Sequence, residues 1–227
     1  MANEAEKEAA ARASLQYVQD GQVVGLGTGS TATIAIRLLA EQVRAGLKIR
    51  GIPTSKASHD LAQQLGIPVI TFEDAQEINV TIDGADEFDP QLNLIKGGGG
   101  ALLREKIVAS ATKIQVIVTD SSKQVSVLGK FPLPVEVIKF AEPLIAKKIS
   151  KMGARVVRRQ DATGKPYITD EGNHILDCHF GQIPDPAALG RTLSDMPGVV
   201  EHGLFIGMAS LVLMAKAGKV EEFRRSS

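Results

Sequence analysis

The chain has 227 residues, 44% of them hydrophobic, with Lys plus Arg and Asp plus Glu at 26 each. That is enough for one large domain or two modest ones with a sizeable core. Balanced charge and only 4% aromatics, with no tryptophan, argue against a nucleic-acid or membrane-surface protein and against a base-stacking platform.

Residues 1–14 are charged and alanine-rich and predict a helix, without the apolar core of a secretory signal. Strand Gln22–Leu26 and helix Thr31–Ala45 follow. Next come strand Leu47–Ile52, helix Lys56–Leu65, and strands Val69–Thr71 and Ile78–Ile82. Helix Ala101–Ala111 and strand Ile114–Val118 close this half. Strands alternating with helices predict an α/β fold, Rossmann-like, with a mostly parallel sheet covered on both faces. In such sheets ligands bind beyond the carboxyl ends of the strands. Polar and glycine-rich clusters lie at those ends: Gly27–Thr31, Pro53–Ser55, Asp83–Glu87 and Thr119–Lys123.

The pattern changes near Gly129, where Phe131-Pro132-Leu133-Pro134 marks a boundary. Strand Val135–Phe140, helix Pro143–Lys151 and strand Ala154–Arg158 come next. Strands Tyr167–Thr169 and Ile175–Phe180, a helix from Pro186 and a strand near Val199 complete a smaller α+β (ferredoxin-like) domain. The expected division is a catalytic domain over 1–129 and 205–227, with 130–204 inserted. The last element, Gly207–Ala217, reads as a helix with Met208 and Met214 in the core. No apolar run reaches the length of a membrane span. The lone Cys178 excludes an internal disulfide and fits a reducing cytoplasm.

Three features carry chemistry. Gly25-Leu26-Gly27-Thr28-Gly29-Ser30-Thr31 joins a strand to a helix. Its backbone amides and the helix N-terminus suit an anion, and Ser30 and Thr31 suit either capping or hydroxyl donation. A tight, well-capped turn is the other reading of this segment. No Walker lysine follows, and the third glycine stands at 29 instead of 30, so neither nucleotide-loop pattern is met. Asp83-Gly84-Ala85-Asp86-Glu87 follows an apolar strand and reads alone as turn aspartates, without calcium-loop spacing. Lys96 precedes Gly97–Gly100, a run that costs roughly 1 kcal/mol per glycine in regular structure and so suits close approach of backbone to a ligand. A flexible surface loop is the other reading. Glu105 has Ala101, Leu102, Val108 and Ala109 at helical spacing. A carboxylate on that apolar stripe must be paired or raised in pKa by desolvation, against the pull of the helix dipole. It is a suitable general base.

Taken together, Gly25–Thr31, Pro53-Thr54-Ser55, Asp83–Glu87 and Lys96–Lys106 resemble the A-type ribose-5-phosphate isomerase family. Thr119-Asp120 with Lys123 and Pro197–Phe205 extend the resemblance over nearly the whole chain. It implies interconversion of D-ribose 5-phosphate and D-ribulose 5-phosphate in the pentose phosphate pathway, without metal or other cofactor. It implies Glu105 as the base, Lys96 at the developing oxyanion, Asp83 in ring opening, and Asp86 holding the loop and orienting Lys96. Thr28, Gly29, Ser30, Thr31, Gly84, Ala85, Gly97, Gly98, Gly99 and Lys123 would bind the sugar phosphate, with Lys7 a further phosphate ligand. A homodimer or homotetramer in the cytoplasm is implied as well.

Two rivals remain. A nucleotide-dependent oxidoreductase lacks the glycine spacing and a ribose-binding acid. A sugar-phosphate sensor would need the cradle but not Glu105. His174, Asp177, Cys178 and His179 suggest a metal cluster until strand alternation separates Cys178 from His179. Arg155, Arg158 and Arg159 read as a solvated strand face.

Overall fold

The computed structural model describes residues 2–225. In chain order the elements begin with helix α1 (Ala2–Ser14), β1 (Val23–Leu26), α2 (Ser30–Arg44), β2 (Arg50–Pro53), α3 (Lys56–Gln64) and β3 (Ile78–Asp83). Then come β4 (Glu87–Phe88), β5 (Leu94–Ile95), α4 (Leu102–Ser110), β6 (Thr112–Asp120), β7 (Leu133–Val137), α5 (Glu142–Ser150) and β8 (Arg155–Arg158). The last are β9 (His174–His179), α6 (Pro186–Ser194), β10 (Val199–His202), β11 (Leu204–Phe205), β12 (Leu211–Lys216) and β13 (Lys219–Arg224).

The chain divides into two compact units. The first comprises residues 1–85, 104–124 and 207–227, the second 86–103 and 125–206. The first unit is built on a six-stranded sheet in the order β13-β12-β6-β3-β1-β2. Every pairing is parallel except the β12–β13 hairpin. Val24 and Leu26 of β1, with Val80 and Ile82 of β3, pack beside Ala35, Ile36 and Leu39 of α2 and Ala10 and Ala11 of α1. Val23, one residue out of phase, joins Ile52, Ile78 and Val108 of α4 in a separate cluster. Alternation along β1 thus feeds two apolar faces. Strand order reverses at β1, with β2 on one side and β3 on the other. The carboxyl ends of β1 and β3 form the switch point where such sheets receive ligands.

The second unit holds a four-stranded antiparallel sheet, β10-β7-β9-β8. With α5 and α6 it runs β-α-β-β-α-β, the ferredoxin-like order, around Leu133, Val135, Ile145, Ile149, Leu176 and Leu193. A small sheet, β11-β5-β4, belongs to the same unit.

Three elements differ from the sequence reading. Residues 211–216, expected in a helix, form β12. This strand pairs with β6 and β13, and residues 211–215 are buried at every position, so both faces are covered and the apolar run loses the alternation that marks a strand. Met214 is buried there. Val69–Thr71 shrinks to one bridge between Gly51 and Val69. Tyr167–Thr169 is no strand; Pro166, which lacks an N–H, makes only an isolated bridge to Gln160.

Candidate active site

In the first unit the site grows from the ends of β1 and β3. The Gly27 N–H donates to the Ile82 carbonyl at 3.0 Å. A Cβ at Gly27 would lie 2.4 Å from Asp83 Oδ1 and 2.5 Å from the Ile82 oxygen. Only glycine lets these two strand ends approach so closely. Asp83, which is buried, accepts through the same Oδ1 from the Thr28 N–H at 3.1 Å and the Gly84 N–H at 2.8 Å. Thr28 Oγ1 lies 2.7 Å from Thr54 Oγ1 and 2.8 Å from Ser55 Oγ, which ties in the end of β2. Ser55 in turn caps α3, accepting from the Ser58 N–H at 3.1 Å.

Helix α2 starts at Ser30, and its cap position is Gly29, so no side chain caps it. Of the two roles read for Ser30 and Thr31, capping is therefore not taken. Ser30 is exposed and Thr31 buried at the first helical positions. Glu105 sits in the first turn of α4 with 5% of its surface exposed. Ala101, Leu102, Val108 and Ala109 are all buried as well, as the spacing required.

Lys123 ends a short 3-10 turn after β6. That turn is fastened twice. Asp120 Oδ1 accepts from the Ser122 N–H at 2.9 Å and bonds its hydroxyl. Glu6 of α1 accepts from the Ser121 N–H at 3.1 Å and hydroxyl at 2.9 Å, and from the Ala217 N–H at 3.2 Å. Donation from Ser121, backbone first, holds the Glu6 carboxyl below its usual range. Lys7, the next residue, pairs with Glu4 at 2.8 Å.

In the second unit β4 and β5 form a hairpin closed by Asp89, whose Oδ1 accepts from the Gln91 and Asn93 amides at 2.9 and 2.8 Å. Asp86 and Lys96 flank its open end. The Asp86 N–H donates to Ile95 and the Lys96 N–H to Gly203. Lys96 is 2% exposed, and its ammonium stands 5.5 Å from the Phe205 ring centroid, within cation–π reach. Asp86 Oδ2 accepts from the Gly98 N–H at 2.7 Å. A Cβ at Gly98 would stand 2.4 Å from the other Asp86 oxygen. Gly98 and Gly99 are exposed to solvent.

The structure thus joins Thr28 and Gly84 directly to Asp83, and Gly98 to Asp86. Gly84 and Ala85 are the link between the two aspartates. Sequence reasoning passed over Glu6 and Tyr167 and gave Arg159 and Asp177 other readings. Arg159 is not on a solvated face: its side chain is 13% exposed, and its guanidinium forks onto Asp177 and reaches the Gly97 and Gly98 carbonyls. Only its contact with a loop 62 residues away reveals this. In β9, Asp177 meets Arg159 while Cys178 is buried in the core, where desolvation pushes its thiol pKa up. Among the described residues no group of three or more His, Cys, Asp or Glu is arranged to hold a metal ion.

The family profile of ribose 5-phosphate isomerase A (phosphoriboisomerase A) matches residues 50–219. Ribose-5-phosphate isomerase A of Nitrobacter hamburgensis is 50% identical, over 96% of this chain and 97% of its own. A D-ribose-5-phosphate isomerase solved in complex with phospho-erythronic acid superposes with a TM-score of 0.96 at 38% identity, covering 99% of this chain and all of its own. The Methanocaldococcus jannaschii ribose 5-phosphate isomerase A gives 0.93 at 40% identity, covering 97% and 99%. Fold and relatives together define an intramolecular aldose–ketose isomerase. The chain belongs to the ribose 5-phosphate isomerase A family.

Proposed function

We propose that this chain interconverts D-ribose 5-phosphate and D-ribulose 5-phosphate by proton transfer through an enediolate, with Glu105 as the base. The observation that carries this reading is a carboxylate 5% exposed, one turn into a helix, with apolar side chains at every helical neighbour position. Such a group is shielded from water and suited to taking a proton next to a carbonyl. Glu105 removes the C2 proton of the open-chain aldose. The electron pair moves into the C1–C2 bond, and the carbonyl oxygen gains negative charge. The Lys96 ammonium stabilises that oxyanion, Asp83 carries a proton from the C2 hydroxyl to the C1 oxygen, and Glu105 returns the first proton to C1 as the C2 carbonyl forms. Asp83, held by two backbone amides, serves ring opening by moving hydroxyl protons. Asp86 keeps the glycine run beside Lys96 through Gly98.

The phosphate belongs at the start of α2, where Gly29 is the cap and the Ser30 and Thr31 hydroxyls adjoin the helix amides. Gly84, Ala85, Gly97, Gly98 and Gly99 line the sugar, and Lys123 adds a cation. Lys7 joins it by exchanging Glu4 for the phosphate. The step requires no metal. The buried, undisulfided Cys178 fits a cytoplasmic enzyme. Phe140, 96% exposed, with Ile138 and Leu144 close by in the chain, supports a homodimer or homotetramer joined through the second unit. A monomer mass by light scattering would contradict that assembly.

Glu105→Gln tests the central role. It keeps shape and removes the base, so kcat should fall by about 10²–10⁴ with KM little changed. Retained turnover would remove Glu105 from the mechanism.

A further inference from the structure

The glycine run Gly97–Gly100 has no side chains of its own to set its shape. Yet its peptide planes are fixed. Arg159 Nη1 donates to the Gly97 carbonyl at 2.8 Å and the Gly98 carbonyl at 3.1 Å. The Tyr167 hydroxyl reaches the Gly99 carbonyl at 3.4 Å. The guanidinium is itself held by Asp177, with Nε on Oδ2 at 3.0 Å and Nη2 on Oδ1. This paired fork has one orientation, set by two parallel bonds. Its carbon lies 6.0 Å from the Tyr167 ring centroid.

The consequence follows from peptide geometry. In a trans peptide the N–H points opposite to the C=O. The Gly97–Gly98 peptide is pinned at both ends, its oxygen on Arg159 and its N–H on Asp86. The Gly98–Gly99 peptide has its oxygen on the same Arg159 nitrogen, so the Gly99 N–H is aimed away from the guanidinium. Gly99 is exposed, and an amide so directed is a ready donor to an oxygen of a bound ligand. Without the fork, glycine would let these peptides rotate at little cost.

We propose that Arg159, locked by Asp177, is a positioning residue for the isomerisation: it fixes the peptide planes of Gly97–Gly99 and with them the placement of Lys96 and the Gly99 amide. The inference rests on the reading of Lys96 and the glycine run as the oxyanion and sugar-binding half of the site. Arg159 need not touch substrate for this.

The test compares R159Q, R159K, D177N and the R159Q/D177N double variant with R158Q and E105Q. Arg158 is the neighbouring arginine, 3.5 Å from Glu142, and R158Q should keep wild-type kcat. R159Q should lose about 10²-fold in kcat, the scale of roughly 1 Å of misplacement, with a smaller change in KM. R159K keeps the charge but not the fork, and should recover only part of the loss. D177N should lose less than R159Q. The double variant should be no worse than R159Q, because Asp177 acts only through Arg159. Amide hydrogen exchange of residues 97–100 should quicken in R159Q and D177N but not in R158Q. Wild-type kcat in folded R159Q, or additive losses in the double variant, would overturn the proposal. Should R159Q fail to fold, D177N decides alone: wild-type kcat with unchanged exchange at 97–100 would overturn it. E105Q separates the two readings. If it is dead while R159Q is fully active, only the positioning role falls. If it is active, the base assignment falls first.

Discussion

The two glycine loops of this chain, both assigned to the proposed site, are held in different ways. Gly25–Thr31 lies at the switch point of the first unit and is tied by neighbours in the same parallel sheet: the Ile82 carbonyl, the Asp83 carboxylate and the hydroxyls of Thr54 and Ser55. Lys96–Gly100 lies in the second unit and is tied by charged groups on a β-hairpin and on the ferredoxin-like sheet: Asp86, Arg159 and, through it, Asp177. The first loop takes its shape from topology. The second takes it from an ion pair, because four glycines carry no shape of their own. The lesson is that a loop's rigidity can be supplied from outside its own sequence neighbourhood.

Substitution at Lys96 probes the second loop most severely. Lys96→Gln removes the buried ammonium beside Phe205 and should cost about 10²–10³ in kcat, the scale of losing an oxyanion donor. Steady-state kinetics checks this. A change confined to KM would mean that the lysine binds substrate and transition state alike.

Gly27→Ala probes the first loop. The added methyl would meet Asp83 Oδ1 at 2.4 Å and backbone at 2.5 Å. Backbone cannot yield as a flexible side chain does, so a stability loss of about 1–3 kcal/mol is expected from overpacking, with a drop in kcat as Asp83 is displaced. Denaturant unfolding and kinetics measure both. Wild-type behaviour would mean that the strand ends tolerate separation.

The smallest effect concerns a charge buried in the second unit. Glu136 on β7 is 1% exposed and accepts from Thr169 Oγ1 and Asn173 Nδ2, both at 2.9 Å. Desolvation raises its pKa above 4.5, outweighing those two hydrogen bonds. A carboxyl with a raised folded pKa favours folding fully below its unfolded pKa. That contribution is lost as pH rises through the folded value. Glu136→Gln should therefore flatten the decline in stability from about pH 4.5 upward, while its carbonyl still accepts from both donors. Melting temperatures across that range report it. An unchanged slope would show that Glu136 does not govern it.

Much of the first unit was legible because each strand end carries its own signal. Asp83, Thr28 and Glu105 follow from glycine placement, a strand terminus and helical spacing. The strand at Leu211–Lys216 was hidden because burial on both faces erases alternation. The short strands β4, β5 and β11 were hidden by their length of two residues each. They nevertheless set Asp86 and Lys96 at one end of a hairpin. Arg159 was illegible for a different reason: among Arg155, Arg158 and Arg159 nothing local marks the one that turns inward.

The most direct measurement is proton NMR of D-ribose 5-phosphate in D₂O with wild-type protein treated with EDTA. The account predicts D-ribulose 5-phosphate carrying deuterium at C1, because the proton taken by Glu105 exchanges with solvent before it returns. Full conversion with no deuterium even after extended turnover would contradict the enediolate, and conversion that stops on EDTA treatment would contradict a metal-free step.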